Sequence, residues 1–163
     1  MGAPTDSDSA ALRELLDRVA IDELINRYYH GLDTRDYALF ETVFAPDAVF
    51  TAHTVDGTSH PQHGREAIIR ALHGVEPFTV SHHGVRNRMV TLDGDRARGN
   101  IYAMDALAYD PGSGMRVRFH GLRYIDEYAR TDAGWRITRR DLYELWEYEA
   151  PDVTMFPELP LPR

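Results

Sequence analysis

The chain has 163 residues, 43% hydrophobic and 27% charged, ordinary globular usage that argues against disorder and is enough for one domain with a real core. Its net charge of −8 comes from 26 acidic and 18 basic residues, every basic one arginine, so Schiff-base chemistry on lysine is excluded and nucleic acid or an anionic membrane is a poor partner beside a neutral small molecule. The absence of cysteine excludes disulfides, thiolate catalysis and sulfur-bound zinc and suits a reducing cytoplasm, and no apolar run reaches membrane-spanning length.

Met1 to Asp8 is small and polar and is expected to be a disordered leader. Ser9 then serves as an N-cap for a helix whose apolar stripe runs Leu12, Leu15, Leu16, Val19, Ile21, Leu24, Ile25, Tyr28 and Leu32. Gly31 is the expected end of that helix. A short helix follows from about Arg35 to Phe44, stopped by Ala45-Pro46-Asp47, with Tyr37, Phe40 and Val43 inward. Ala48 to Val55 reads as a strand with Phe50 and Ala52 on one face. Asp56 to Gly64 reads as a loop, and Arg65 to Leu72 as a helix.

Four long strands complete the domain: Thr79 to Leu92, Arg96 to Tyr109, Met115 to Arg130, and Trp135 to about Tyr148. They are separated by Asp93-Gly94-Asp95, the Asp110 to Gly114 turn and Thr131 to Gly134. The tail from Pro151 to Arg163 carries four prolines and is expected to wrap over a surface. Helices first and then a meander of long antiparallel strands is an α+β plan. It is one domain over 9–150, a conical half-barrel whose strongly curved sheet is covered by the N-terminal helices around an apolar pocket.

The chemistry-bearing residues are few. Strand alternation puts His83, Val85, Asn87 and Met89 on the pocket face, and His82, Arg86 and Arg88 on the other. A partly buried imidazole needs partners for its ring nitrogens. His83 is either a core histidine bonded to a carbonyl or the partner of Asp33, which follows the helix-ending glycine. Asp33 is in turn either a solvated or capping aspartate or the group that fixes the tautomer of His83 and makes it a general base. Tyr28, on the apolar stripe, is either a core aromatic or a donor to a substrate oxygen. Trp135, Ile137 and Arg139 share a face, which places Arg139 inside, with Arg136 and Arg140 outside.

Asp105 and His120 are polar groups in largely apolar strands, facing the pocket, solvent or a subunit contact. With Arg139, Phe50, Asn87, Tyr102 and Met104 they complete the candidate substrate contacts. His53, His60 and His63 cluster in sequence, but their spacing matches no metal motif, and no metal or cofactor is expected.

The order DRVAIDELINRYYHGLDTRD, FAPDAVF, GREAI, HHGVRN with LDGDRA, and GWRITRR resembles the SnoaL-like group of the nuclear transport factor two-like superfamily, over about Leu16 to Arg140. The resemblance implies a conical α+β barrel with a deep apolar pocket, homodimeric or homotrimeric assembly, and chemistry like that of scytalone dehydratase, hexachlorocyclohexane dehydrochlorinase or bile acid 7α-dehydratase. Carried over by motif, it puts the histidine of those enzymes on His83 and their aspartate on Asp33. The bile acid enzyme's tyrosine falls on Tyr28 and its second aspartate on Asp105, and the dehydrochlorinase's arginine on Arg139. Two departures stand out. Gly99 to Asp110 lacks the second histidine of scytalone dehydratase, and Tyr28 stands where the dehydrochlorinase has lysine. The expectation is a cofactor-free lyase of dehydratase type acting on a small, largely apolar cyclic compound (polyketide-, steroid- or terpenoid-like). An isomerase or cyclase using the same pair, and a non-catalytic binding module, are the alternatives.

Overall fold

The computed structural model describes residues 6–154. A long helix α1 (Asp6–Thr34) leads through a 3-10 turn (Tyr37–Leu39) into the single-turn α2 (Phe40–Val43). Strands β1 (Phe44–His53) and β2 (Ser59–His63), helix α3 (Arg65–Leu72) and the long strands β3 (Val80–Asp93), β4 (Arg96–Tyr109), β5 (Arg116–Thr131) and β6 (Gly134–Ala150) follow. The six strands form one open sheet in the order β2-β1-β6-β5-β4-β3, antiparallel except where β1 runs parallel to β6. The helices lie against one face, as the sequence order of helices before strands predicts.

The long strands and α3 fall where the sequence places them, whereas the N-terminal third differs. Asp6 to Asp8 are already helical, so Ser9 is interior, and the first five residues of the expected leader lie outside the described residues. Leu12, Leu15, Leu16 and Val19 are exposed, and the packed stripe begins near Ile21. Above it, Asp17 is buried because Arg130 and the Trp135 indole N–H donate to its two carboxylate oxygens at 2.5 and 3.1 Å. The helix passes through Gly31 and ends at Thr34. Gly31 serves packing instead, since a Cβ there would come within 3.0 Å of the Phe40 ring.

Arg35 takes the left-handed turn expected of Gly31, with φ of 60°. Its guanidinium offsets that strain by donating to the carbonyls of Leu32, Val75 and Phe78 and to the Ser81 hydroxyl. β1 begins at Phe44 and tolerates Pro46 because its pairing with β6 is interrupted between Phe44 and Val49. Much of the expected 56–64 loop is strand β2, paired to β1. Of the expected tail, Val153 donates its backbone N–H to the Met115 carbonyl, and 155–163 lie outside the described residues.

Three irregularities in the long strands decide which residues face the helices. β3 slips against β4 between Val85 and Arg88, and β5 slips against β6 between Gly121 and Leu122 and again between Glu127 and Tyr128. A one-residue slip moves every following side chain to the other face. Beyond the β3 slip, Val90 and Leu92 pack on the core while Met89 is 75% exposed. Beyond the slip near Thr138, Arg140 is fully buried and Arg139 points outward, bonded to Asp141.

The core is aromatic around that buried charge. Arg140 donates two bonds to Asp126, at 2.8 and 2.7 Å, and both side chains are inaccessible. The Tyr128 hydroxyl donates to Asp126 at 2.6 Å. The guanidinium lies 4.2 Å from the Tyr28 ring centre and 4.8 Å from that of Tyr124, positions in which an aromatic face stabilises a desolvated cation. Asp126→Ala would leave this cation uncompensated and is expected to destabilise the protein by about 3–5 kcal/mol in urea unfolding, whereas joint Asp126→Leu and Arg140→Met replacement recovers most of the loss.

Candidate active site

Between the helices and the concave face of the sheet lies a cavity of about 360 Å³, within the range of small-molecule sites. Tyr28, Phe50, Leu72, Leu122, Tyr124 and Leu142 supply apolar wall, and His83, Asp105, Arg118, His120, Glu144 and Glu147 the polar groups.

Asp33 enters from the last turn of α1. Its two oxygens engage one residue. Oδ1 lies 2.6 Å from His83 Nδ1, and Oδ2 accepts the His83 backbone N–H at 3.0 Å. β3 is an edge strand, so half of its backbone donors have no strand partner. Asp33 satisfies one of them and with the same carboxylate fixes the ring of His83. Arg35 fastens the same helix end to the start of β3 through Ser81. Burial raises the carboxyl pKa of Asp33, but the hydrogen bonds from the ring and backbone of His83, with the nearby His83 and His82 charges, outweigh it and hold the pKa below the usual range. With Nδ1 committed to Asp33, Nε2 is the nitrogen left for chemistry.

Across the sheet, His83 stands opposite Asp105, Asp105 opposite His120, and His120 opposite Glu147. Four polar residues on four successive strands thus form one transverse row on the concave face, with Asp33 at its end. His83 Nε2 is 3.8 Å from Asp105 Oδ2. Asp105 Oδ1 lies 2.7 Å from His120 Nδ1 and also accepts the His120 backbone N–H at 3.2 Å. His120 Nε2 is 3.2 Å from Glu147 Oε2. Arg118 stands 3.8 Å from Glu147, and Glu144 is tied to the β1–β2 turn by the Val55 N–H.

Tyr28 is 1% exposed and lines the cavity. Burial pushes its phenol pKa up, against the opposing pull of Arg140, so the group stays a protonated donor at neutral pH. Phe50, Asp105 and His120 also reach the cavity. Arg139 does not, because the slip near Thr138 turns it outward. Asn87 is turned to the convex face by the β3 slip, where it shares a shallow groove with Tyr102, Met104 and Trp146. Tyr102 and Met104 lie there because they alternate with the inward Ala103 and Asp105.

His53 bonds to Ser59 and His60 to Thr58, and among the described residues no three His, Asp or Glu side chains converge to hold a metal. Reading the strands one residue at a time missed Arg118, Tyr124, Glu144 and Glu147. The alternation Arg118, His120, Leu122, Tyr124 was visible in β5, but the slip beside Leu122 hides the matching pattern in β6.

A model of the SnoaL-like domain matches residues 13–141. The chain is 31% identical over 142 residues to an uncharacterised protein of Mycobacterium tuberculosis, covering 86% of this chain and 93% of that one. Among solved structures, it is 30% identical to a Novosphingobium aromaticivorans protein provisionally named an aromatic ring hydroxylase, with TM-score 0.71 over 85% of this chain and 94% of that one. A hexachlorocyclohexane dehydrochlorinase from Novosphingobium barchaimii shares the fold with TM-score 0.77 at 18% identity, covering 91% of this chain and 99% of that one. With the family match spanning α1 to β6, the chain belongs to the SnoaL-like domain family.

Proposed function

We propose that the protein is a lyase of dehydratase type that works with its own side chains on a small, largely apolar cyclic substrate. The observation that carries this reading is the Asp33–His83 pair on the wall of the cavity, with Nδ1 held at 2.6 Å and Nε2 on the side of Asp105. In this geometry Asp33 accepts the Nδ1–H, leaving a lone pair on Nε2. That lone pair takes a proton from a carbon next to an activating group, and Asp33 stabilises the imidazolium that forms. Tyr28, a protonated phenol on the same cavity, donates to the departing or polarised oxygen. The dehydrochlorinase neighbour, named for an elimination, supports the class. The apolar wall and a volume of about 360 Å³ favour a ring compound.

The same base and donor also serve an isomerase or cyclase, in which the abstracted proton returns to the substrate and no group leaves. The two are separated by product mass. When the protein is incubated with a panel of hydroxylated cyclic ketones, a dehydratase gives products lighter by one water, whereas an isomerase or cyclase gives products of unchanged mass. His83→Ala and Asp33→Asn are each expected to lower turnover by about 10²–10⁴-fold, the usual weight of general base catalysis, with folded circular dichroism retained. Full activity in both variants overturns the reading and assigns the chemistry to other residues.

The depressed pKa of Asp33 also fixes the sign of a stability effect. A carboxyl whose folded pKa lies below its unfolded value contributes stability that is fully present above the unfolded pKa and lost as pH falls through the folded one. The stability difference between wild type and Asp33→Asn is therefore expected to hold from neutral pH down to about 5 and to shrink below about 4, near the unfolded carboxyl pKa. Thermal unfolding at successive pH values measures it.

A further inference from the structure

His83 has a carboxylate on each side, Asp33 on α1 at 2.6 Å and Asp105 on β4 at 3.8 Å. Its side chain is only 5% exposed and that of Asp105 7%, so little water screens the ring from Asp105. Two anions flanking one imidazole favour its protonated form, and a histidine already protonated at neutral pH has no lone pair with which to take a proton. A general base in this position needs one of the two charges cancelled. The row across the sheet holds the group to do it.

His120 has an acceptor at each ring nitrogen, Asp105 Oδ1 at Nδ1 and Glu147 Oε2 at Nε2. Neutral imidazole carries one N–H and one lone pair, so either neutral tautomer would set a lone pair against a carboxylate oxygen. Only the imidazolium, with two N–H donors, satisfies both contacts. We propose that His120 is a fixed imidazolium that cancels the charge of Asp105, so that Nε2 of His83 faces a neutralised pair rather than a second anion. This rests on reading His83 as the base. It makes His120 a positioning and charge-setting residue rather than one that exchanges protons with substrate.

The charged surroundings agree with this assignment. The groups facing His120 from neighbouring elements are Asp105 on β4 and Glu144 and Glu147 on β6, all acidic. Arg118, on its own strand, points to Glu147 and Glu149. Burial alone lowers the His120 pKa, but the bond and charge of Asp105, joined by Glu144 and Glu147, reverse the sign and leave it above the ordinary histidine value. Around His83, the facing groups are Asp33 and the ring of Tyr29 on α1 and Asp105 on β4. His82, next to it on β3, is exposed. No arginine is paired with Asp33 or Asp105 among the described residues, so cancellation of the Asp105 charge falls to His120.

The test is a titration of the histidine ring signals by NMR on the full chain, with His83 assigned by its loss in His83→Gln. It needs no substrate, so its result is independent of whether His83→Ala abolishes turnover. In the wild type, His120 is expected to show both ring N–H protons at neutral pH. His120→Gln is expected to raise the titration midpoint of His83 by about one pH unit, a tenfold rise in proton affinity. His120→Arg, which restores a permanent cation, is expected to return the midpoint toward the wild-type value, an outcome that a purely packing role for His120 would not give. Glu147→Gln, at a side chain that is 41% exposed, replaces a carboxylate that only accepts with an amide that can also donate to a neutral ring nitrogen. The demand for an imidazolium at His120 is thereby relaxed, and the His83 midpoint is expected to move in the same direction by less. An unmoved His83 midpoint in both His120→Gln and Glu147→Gln, or a His120 that titrates as a neutral ring at pH 7, overturns the proposal.

Discussion

Two charges with no access to water constrain this structure, because neither can stay buried without the other. Arg140 and Asp126 are joined by two parallel bonds through Nε and Nη2, a third comes to Asp126 from the Tyr128 hydroxyl, and Arg140 Nη1 is buried without a hydrogen-bond partner. The guanidinium then supports the rings of Tyr28 and Tyr124, which are also wall residues of the cavity. Because an unpaired buried charge is so unfavourable, the pair fixes the register of β5 against β6 beyond the slip near Thr138. It thereby seats α1 on the sheet through Tyr28. The helix end that carries Asp33 inherits its position from this packing.

A second constraint operates at the opposite edge of the sheet. β3 has no further strand to pair with, and Asp33 meets one of its free N–H groups with the same carboxylate that holds the His83 ring. Structural satisfaction of an edge and orientation of a base are here one set of hydrogen bonds. Arg35, bonded to both the helix end and Ser81, keeps the two elements in register. The polar groups of the cavity follow from the ladder itself. Directly opposed residues on antiparallel strands share a face, so a histidine on β3, an aspartate on β4, a histidine on β5 and a glutamate on β6 become neighbours once the registers are set.

The architecture was largely legible in the sequence. Turn signals such as Asp93-Gly94 delimited the long strands, and the helical spacing of Ile21, Leu24, Ile25, Tyr28 and Leu32 marked the face of α1 that packs. Alternation placed His83 and Val85 inward, and motif order led to Asp33 as its partner. Alternation failed where the ladder slips. Asn87, Met89 and Arg139 were read as inward by counting in twos from a correct starting point, and each lies beyond an irregularity that the count cannot detect. The exposed Leu12, Leu15, Leu16 and Val19 follow the helical period as well as the buried residues do. Periodicity establishes a helix but not whether anything covers it.

What the sequence by itself determined was composition-level and local: an acidic, cysteine-free and lysine-free chain, helices before strands, and an imidazole that had to find a partner inside. These follow from short-range rules, because propensity, turn chemistry and side-chain period act over a few residues. Only the tertiary structure decided that Arg140 and not Arg139 is the buried cation, that Arg35 rather than Gly31 ends the helix, and that Asp105, His120 and Glu147 continue the row begun by Asp33 and His83. Those outcomes depend on cross-strand register and on pairing between residues as far apart as Asp33 and His83. No local pattern encodes them, because a single inserted residue in a strand exchanges its two faces without changing the composition on either side.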